Sequence, residues 1–121
     1  MFNGIILNNG NVEKIYSGKN SLEIVLKTNL TLTKSDLGAS LCCNGACLTI
    51  TEIKKNLATF YLSKETLNKT NFKFIKIGDY VNVEKSLNYG SKISGHYVQG
   101  HTDTTGRVIR ITILNKTWIV E

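Results

Sequence analysis

Short segments in which apolar and polar residues alternate constrain the fold of this chain more than any other feature. Leu22, Ile24 and Leu26 alternate with polar neighbours, and residues 80–85 repeat the same period of two, which is typical of strands with one buried face. Asn44-Gly45 separates two further apolar runs, and this pair favours a tight hairpin because both residues accept positive φ. The pattern predicts an all-β protein.

The remaining segments can be placed between turn signals. Residues 8–11 fit a turn or a bulge, and turn residues are concentrated at 17–20. Residues 28–37 fit either a loop or one or two helical turns, and residues 64–71 indicate a short helical turn. Closure of so many short strands into a barrel would remove their exposed edges. We therefore expect a closed antiparallel barrel with Greek-key connections, built from six or more strands. The predicted strands are residues 2–7, 12–16, 22–27, 40–43, 46–53, 57–63 and 80–85, with a last hairpin of residues 108–114 and 117–121.

Composition excludes several classes of protein. A chain of 121 residues is long enough for one ordinary domain. It begins without a basic segment followed by a long apolar run, and no later stretch approaches the length of a membrane span, so we expect a cytoplasmic protein that does not enter a membrane. Cys42, Cys43 and Cys47 match neither a disulfide framework nor a zinc site, and they are interpreted as reduced thiols.

The basic charge of the chain permits a nucleic-acid partner without requiring one. The net charge is +6, but the lysines are scattered, and an anionic small molecule, or no charged partner, explains the charge equally well. Exposed aromatic residues interleaved with Lys or Arg, expected of an oligonucleotide-binding barrel, are not visible. We expect no nucleic-acid partner, and a salt-dependent shift with single-stranded nucleic acid would revive that alternative.

The stretch GHYVQGHTD, residues 95–103, contains both histidines of the chain. In an extended strand residues two apart share a face, so Asp103 would orient the imidazole of His101 while His96 points the other way. The histidines are therefore not expected to share a metal ion. The two glycines indicate a bulge, a bend or a close approach of backbone to a ligand. A kinked barrel strand with purely structural histidines fits this spacing as well as a binding site does.

Five segments together resemble the N-terminal barrel of the riboflavin synthase family, in the same order and at similar spacing. They are residues 1–6, residues 38–40 with 44–53, residues 64–67 with 70–71, residues 78–84 and residues 95–103. The resemblance implies a six-stranded antiparallel Greek-key barrel that binds 6,7-dimethyl-8-ribityllumazine. It also implies a transferase reaction in which a four-carbon unit passes between two such molecules, giving riboflavin and 5-amino-6-ribitylaminopyrimidinedione without metal or redox cofactor.

The resemblance also implies which residues contact the substrate. A glycine near the N-terminus suits a ring lying against backbone, and hydroxyl and carboxylate groups suit a ribityl chain. The implied binding residues are Gly4, Ile5, Ile6, Cys47, Leu48, Thr49, Tyr61, Leu62, Ser63, Lys64, Glu65, Thr66, Gly100, His101 and Thr102.

Three of the matched residues are candidates for catalysis. His101, steered by Asp103, would take a proton from the C7 methyl group of the donor lumazine. Cys47 would act as base or nucleophile, although composition alone favours packing for a thiol in apolar surroundings. Ser40 would activate water or position the acceptor ring. Because much of the rate would come from holding two substrates face to face, binding assignments rank above catalytic ones.

The chain also departs from the family. Asn3, Ala46 and Thr102 are three departures from the family pattern. Family enzymes also carry two similar barrels, and we find no second copy of the motif set in this chain. Residues 1–121 are therefore interpreted as one lumazine-binding barrel that resembles the N-terminal repeat, from a cut-out domain or a truncated gene product.

Such a barrel would supply half of an active site. We expect a homo-oligomer, a trimer for a full-length enzyme and a dimer for a single barrel, with the dimer formed by an isologous contact. The alternative function is a non-catalytic lumazine or flavin carrier on the same barrel.

Overall fold

The computed structural model describes residues 1–121 and contains a closed barrel of six antiparallel strands. Around the barrel the strands follow the order β1, β2, β5, β4, β3, β6. Three consecutive strands, β3 to β5, pair as neighbours and β6 returns beside β3, which is a Greek-key connection. The predicted six-stranded barrel is confirmed. Its strands are β1 (Asn8–Ser17), β2 (Leu22–Thr28), β3 (Ser40–Cys43), β4 (Ala46–Lys54), β5 (Leu57–Leu62) and β6 (Tyr80–Lys85).

Alternation along the strands separates the barrel core from the barrel surface. In β5, Ala58, Phe60 and Leu62 are fully buried in the core while Tyr61 between them is 58% exposed. The core consists of Val12, Ile24, Leu26, Leu41, Cys43, Ala46, Leu48, Ile50, Ala58, Phe60, Leu62, Phe72, Val81 and Val83. Burial of these side chains is the main force that holds the strands together.

Helical structure is limited to short segments. The predicted helical turn is confirmed as α1 (Lys64–Lys69), where the Ser63 hydroxyl accepts a hydrogen bond from the Thr66 amide at 3.3 Å and so caps the first turn. A 3-10 turn at Lys34–Asp36 resolves the ambiguous segment, and another follows at Asn71–Phe74. No helix of the chain is long and apolar enough to cross a membrane.

The start of the barrel differs from the prediction. Residues 8–11, predicted as a turn or a bulge, belong to β1 and pair with residues 80–83 of β6, while Gly10 also pairs with Thr28. Pairing on both sides overrides the low strand propensity of Asn and Gly. Residues 2–7, predicted as a strand, contribute only one isolated bridge, from Phe2 to Val98. The bulge in β1 lies between Val12 and Lys14.

The predicted last hairpin is present but lies outside the barrel. β7 (Ile111–Leu114) pairs with β8 (Thr117–Val120) as a separate two-stranded sheet, and every residue of the two strands is exposed. All six barrel strands lie between Asn8 and Lys85.

The β7–β8 hairpin repeats the geometry of β1 and β2. The same spacing separates Gly4 from Gly100, Gly10 from Gly106 and Val12 from Val108. At that spacing the hairpin register is identical, because the pair Ile15 and Ile24 corresponds to Ile111 and Val120. Gly4 and Gly100 share a positive φ, 74° and 77°, and the isolated bridge from Phe2 to Val98 joins two positions at the same spacing. A repeated hairpin is therefore present where the motif comparison found no second copy.

Candidate functional site

A cavity of about 280 Å³ lies outside the barrel core, between β4, α1 and the segment 100–102. We call it the Cys47 pocket. Its volume lies near the lower end of the range for small-molecule sites. It is lined by Ala46, Cys47, Glu65, Thr66, Lys69, Thr70, Gly100, His101 and Thr102.

Gly100 forms the floor of the pocket by direct contact with β4. The Cys47 amide donates a hydrogen bond to the Gly100 carbonyl at 2.7 Å. A Cβ atom on Gly100 would lie 3.0 Å from the Cys47 Cβ and 3.1 Å from the ring of Phe2, and its φ is 77°. Only glycine combines this left-handed backbone with so close an approach. The close approach at Gly100 is therefore to β4 of the same barrel, and an approach to a ligand stays a prediction.

The N-terminal residues hold this segment against the barrel. Phe2 and Val98 exchange two backbone hydrogen bonds, at 2.8 and 3.0 Å. The Glu84 carboxylate of β6 accepts from the amides of Asn3 at 2.6 Å and Gly4 at 3.1 Å. Hydrogen bonds to a charged acceptor are stronger than neutral ones. Glu84 therefore anchors the N-terminal residues, which in turn hold the segment that forms the pocket floor.

The opposite wall of the pocket is the polar face of α1. Lys69 donates to the Glu65 carboxylate at 3.0 Å, and the Thr70 hydroxyl donates to the Thr66 carbonyl at 2.7 Å. The hydrogen bond that Lys69 donates to Glu65 is the largest cause of a raised pKa for Lys69, to which the charge of Asp103 also contributes. This wall therefore presents hydroxyl, carboxylate and ammonium groups to the cavity.

The predicted pairing of His101 with Asp103 is wrong. No hydrogen bond or ion pair joins the two side chains, and both are exposed. Residues 99–103 do not form a strand, so the rule that residues two apart share a face does not apply. His101 lines the Cys47 pocket, whereas His96 is exposed outside it.

Six of the residues implied by the resemblance come together in the Cys47 pocket: Cys47, Glu65, Thr66, Gly100, His101 and Thr102. Leu48 and Leu62 point into the core, and Tyr61 is exposed on the barrel wall. Ser40 begins β3 and is paired with Thr49 of β4. The implied residues outside the pocket lining are Gly4, Ile5, Ile6, Ser40, Leu48, Thr49, Tyr61, Leu62, Ser63 and Lys64.

Three lining residues, Ala46, Lys69 and Thr70, were not assigned from the sequence. Two of them were detectable from helical spacing, because Lys69 and Thr70 follow Thr66 by three and four residues and so share its face of a helix. The inclusion of Ala46 follows from the fold, since it adjoins Cys47 at the start of β4.

The three cysteines are free thiols in different surroundings. Burial raises the pKa of the Cys43 thiol, which points into the core, and burial is also the largest cause of a raised pKa for Cys42. Cys47 is half-buried and is the cysteine that lines the pocket. It is therefore the thiol that a small molecule in the pocket would meet.

Comparisons with known proteins agree with this architecture. A family profile described as the lumazine binding domain matches residues 3–86. The riboflavin synthase of Buchnera aphidicola subsp. Baizongia pistaciae is 39% identical over 109 residues, covering 89% of this chain and 51% of the relative. The riboflavin synthase of Escherichia coli K12 is 39% identical over 112 residues, covering 92% and 53%. The chain thus spans about half the length of the relatives it matches.

Solved structures show the same fold. LumP complexed with 6,7-dimethyl-8-(1'-D-ribityl) lumazine is 25% identical with a TM-score of 0.77, and the match covers 99% of this chain and 67% of LumP. LumP complexed with riboflavin gives a TM-score of 0.77 at 24% identity, covering 99% and 65%. Because the family profile spans all six barrel strands and the folds agree, the chain belongs to the lumazine-binding domain family.

Proposed function

We propose that this chain is the first barrel of a riboflavin synthase and that the Cys47 pocket binds 6,7-dimethyl-8-ribityllumazine. The observation that carries the proposal is the convergence of β4, α1 and the segment 100–102 on one cavity in a member of the lumazine-binding domain family. The riboflavin synthases that match at 39% identity support a catalytic role over simple binding.

The two walls of the pocket suit the two parts of this ligand. Cys47 and the segment 100–102 form one wall, against which a flat heterocycle can lie. Glu65, Thr66 and Lys69 present polar groups on the opposite wall, where the hydroxyls of a ribityl chain find both donors and acceptors.

The proton chemistry falls to the groups that face the cavity. His101 lines the pocket and is exposed, so it can exchange its proton with water and accept one from the C7 methyl group of the donor. Cys47 is the second base or nucleophile. The sequence also predicted a role for Ser40, which lies outside the lining; its role depends on a second substrate bound beyond the Cys47 pocket. No metal or redox cofactor takes part.

The reaction needs two lumazines, and this barrel provides one half of the arrangement. We propose that the β7–β8 hairpin begins a second barrel, because it repeats the register of β1 and β2. The interpretation of residues 1–121 as one lumazine-binding barrel stays a prediction beside this proposal. A homo-oligomer, trimeric for the full-length enzyme and dimeric for a single barrel, would bring two ligands face to face. The predicted cytoplasmic location fits a small-molecule biosynthetic enzyme.

The proposal is tested by a fluorescence titration of the purified chain with 6,7-dimethyl-8-ribityllumazine and with riboflavin, followed by chromatography for riboflavin formed from the lumazine. We expect saturable quenching by both compounds. The variant Thr66→Ala should weaken binding, whereas Thr51→Ala, on the same barrel but outside the pocket, serves as the control. Failure of both compounds to bind would overturn the assignment of the pocket.

The second candidate function is a lumazine or flavin carrier without catalysis. It is favoured by the structural match to LumP, which was solved with a lumazine and with riboflavin bound. Saturable binding without any riboflavin formed, at chain concentrations high enough for self-association, would select the carrier over the synthase.

A further inference from the structure

Cys42 and Cys47 lie directly opposite each other on the hairpin of β3 and β4. The hairpin turn consists of Asn44 and Gly45, both with positive φ of 47° and 86°. In such a two-residue hairpin the residues that flank the turn, Cys43 and Ala46, form the hydrogen-bonded pair. Pairs alternate along an antiparallel ladder, so Cys42 and Cys47 occupy a non-hydrogen-bonded position.

Backbone hydrogen bonds support this assignment from both sides of the pair. The Cys47 amide donates to the Gly100 carbonyl at 2.7 Å, away from β3. The Asn44 amide donates to Asn82 in β6 at 2.9 Å, and Cys42, two residues earlier, directs its backbone groups the same way. Cα atoms of a non-hydrogen-bonded pair lie about 4.5 Å apart, which falls within the span of about 4.4 to 6.8 Å that disulfides bridge.

The two thiols also share a face and a route to solvent. Side chains of directly opposed residues project to the same side of a sheet, and neither cysteine belongs to the core cluster that contains Cys43 and Ala46. Cys42 is 4% exposed, whereas Cys47 is half-buried and lines the pocket. A small oxidant that enters the pocket therefore reaches Cys47 first and finds Cys42 beside it.

We propose that Cys42 and Cys47 form an oxidation site, in which hydrogen peroxide converts the two thiols into a cross-strand disulfide within the wall of the Cys47 pocket. The Cys47 thiolate attacks a peroxide oxygen and the O–O bond breaks. The released hydroxide takes up the thiol proton as water and leaves Cys47 as a sulfenic acid. The Cys42 sulfur then attacks the sulfenic sulfur, the S–O bond breaks, and a second water leaves with the Cys42 proton. Two thiols lose two electrons and one peroxide becomes two waters.

The consequence for ligand binding rests on the proposed function. The disulfide removes the only thiol that lines the pocket and links the β4 wall covalently to β3. It should therefore weaken lumazine binding while the chain is oxidised. Because the bridge spans only the hairpin turn, it constrains little of the unfolded chain and adds little stability. A bridge of this kind acts on the pocket rather than on the fold.

The chemistry is tested on the full chain without any ligand. After treatment with hydrogen peroxide the intact mass should fall by two hydrogens. Alkylation of the unfolded chain should then modify one of the three cysteines, and fragmentation should place the link between Cys42 and Cys47. The Cys43→Ala variant, which alters the core-facing thiol, should still form the link. The Cys42→Ser variant should instead accumulate a Cys47 sulfenic acid that dimedone traps.

Two results would overturn the proposal. One is a wild-type chain in which Cys47 proceeds to sulfinic acid while Cys42 remains free to alkylate. The other is loss of thiols only through links between separate chains, seen as dimers on a non-reducing gel. Both results are read from the wild-type chain, so they decide the matter even where a variant folds poorly.

The effect on the site is tested separately by titrating lumazine before and after oxidation. We expect binding about tenfold weaker in the oxidised chain and restored by dithiothreitol, both in the wild-type chain and in the Cys43→Ala variant. If the disulfide forms but the chain does not bind lumazine, the oxidation site is supported and the proposed function is contradicted. Unchanged affinity for lumazine after oxidation would show that the disulfide does not regulate binding in the pocket.

Discussion

The β1–β2 hairpin and the β7–β8 hairpin have the same register but opposite surroundings. Ile24 is fully buried in the barrel, whereas Val120, its counterpart in the repeated hairpin, is 56% exposed. The local hydrogen bonding of the two hairpins is equivalent, and an isolated two-stranded hairpin is marginal in water. The difference shows that closure into a barrel, not hairpin geometry, supplies the stability of these strands.

The largest expected effect comes from the same substitution at equivalent positions of the two hairpins. Val12 is fully buried and Val108 is 58% exposed. Val12→Ala should lower the free energy of unfolding by about 2 to 3 kcal/mol through lost burial and a cavity, and Val108→Ala should change it by less than about 0.5 kcal/mol. Urea denaturation measures both values. Equal losses would mean that the second hairpin is packed against something in solution.

Next in size is the effect of a side chain at Gly100, where the segment that precedes the β7–β8 hairpin contacts β4 and Phe2. Gly100→Ala places a Cβ against Cys47 and Phe2, whereas Gly45→Ala has open space around the same atom. Both variants bear the left-handed backbone penalty of about 1 to 2 kcal/mol, but only Gly100→Ala should also displace the pocket floor and weaken lumazine binding. Thermal melting with and without lumazine separates the two effects. Unimpaired binding by Gly100→Ala would show that the floor takes no part.

A smaller effect is expected from the carboxylate that anchors the N-terminal residues. Glu84→Ala removes the acceptor for two amides, those of Asn3 and Gly4, and should cost about 1 to 2 kcal/mol. Glu121→Ala removes an exposed ion pair with Arg110, which should cost less than about 0.5 kcal/mol. Amide exchange should become faster at Phe2 and Val98 only in the first variant. Unchanged amide exchange at Phe2 and Val98 in the Glu84→Ala variant would show that Glu84 does not hold the pocket floor in place.

The smallest effect concerns Asp36, whose carboxylate contacts Lys85 at 2.7 Å and accepts from the Thr33 amide at 2.7 Å. The hydrogen bond from Lys85 is the largest cause of a lowered pKa for Asp36. A lowered pKa means that the stabilisation is present above the ordinary pKa of aspartate and is lost as pH falls through the lowered value. Asp36→Asn should therefore cost about 0.5 kcal/mol at neutral pH and nothing in strong acid, as measured by urea denaturation at both pH values.

Much of the barrel was predictable because its strands carry local signals. The alternation around Ile24, the turn at Asn44-Gly45 and the capped helix after Ser63 each depend on neighbours in sequence, and all three are confirmed. Residues 8–11, predicted as a turn or a bulge, are regular strand because their conformation depends on β6, which lies far along the chain. The pairing of His101 with Asp103 was wrong because it assumed a strand that is not formed.

The candidate site shows the same division. Cys47, Glu65 and Thr66 could be named from the sequence, and Lys69 and Thr70 follow once a helix is assumed. The repeated hairpin was visible as matched glycine and valine spacings, but it was missed because few of its other residues match.

By itself, the sequence determined the strand pattern, the hairpin turns and the family, since each follows from side-chain periodicity or from motifs in order along the chain. Only the tertiary structure decided that β7 and β8 stay outside the barrel, that Gly100 rests on Cys47 and that Cys42 faces Cys47. These features depend on which strand edges close on each other, and that choice is made by burial of side chains distant in sequence.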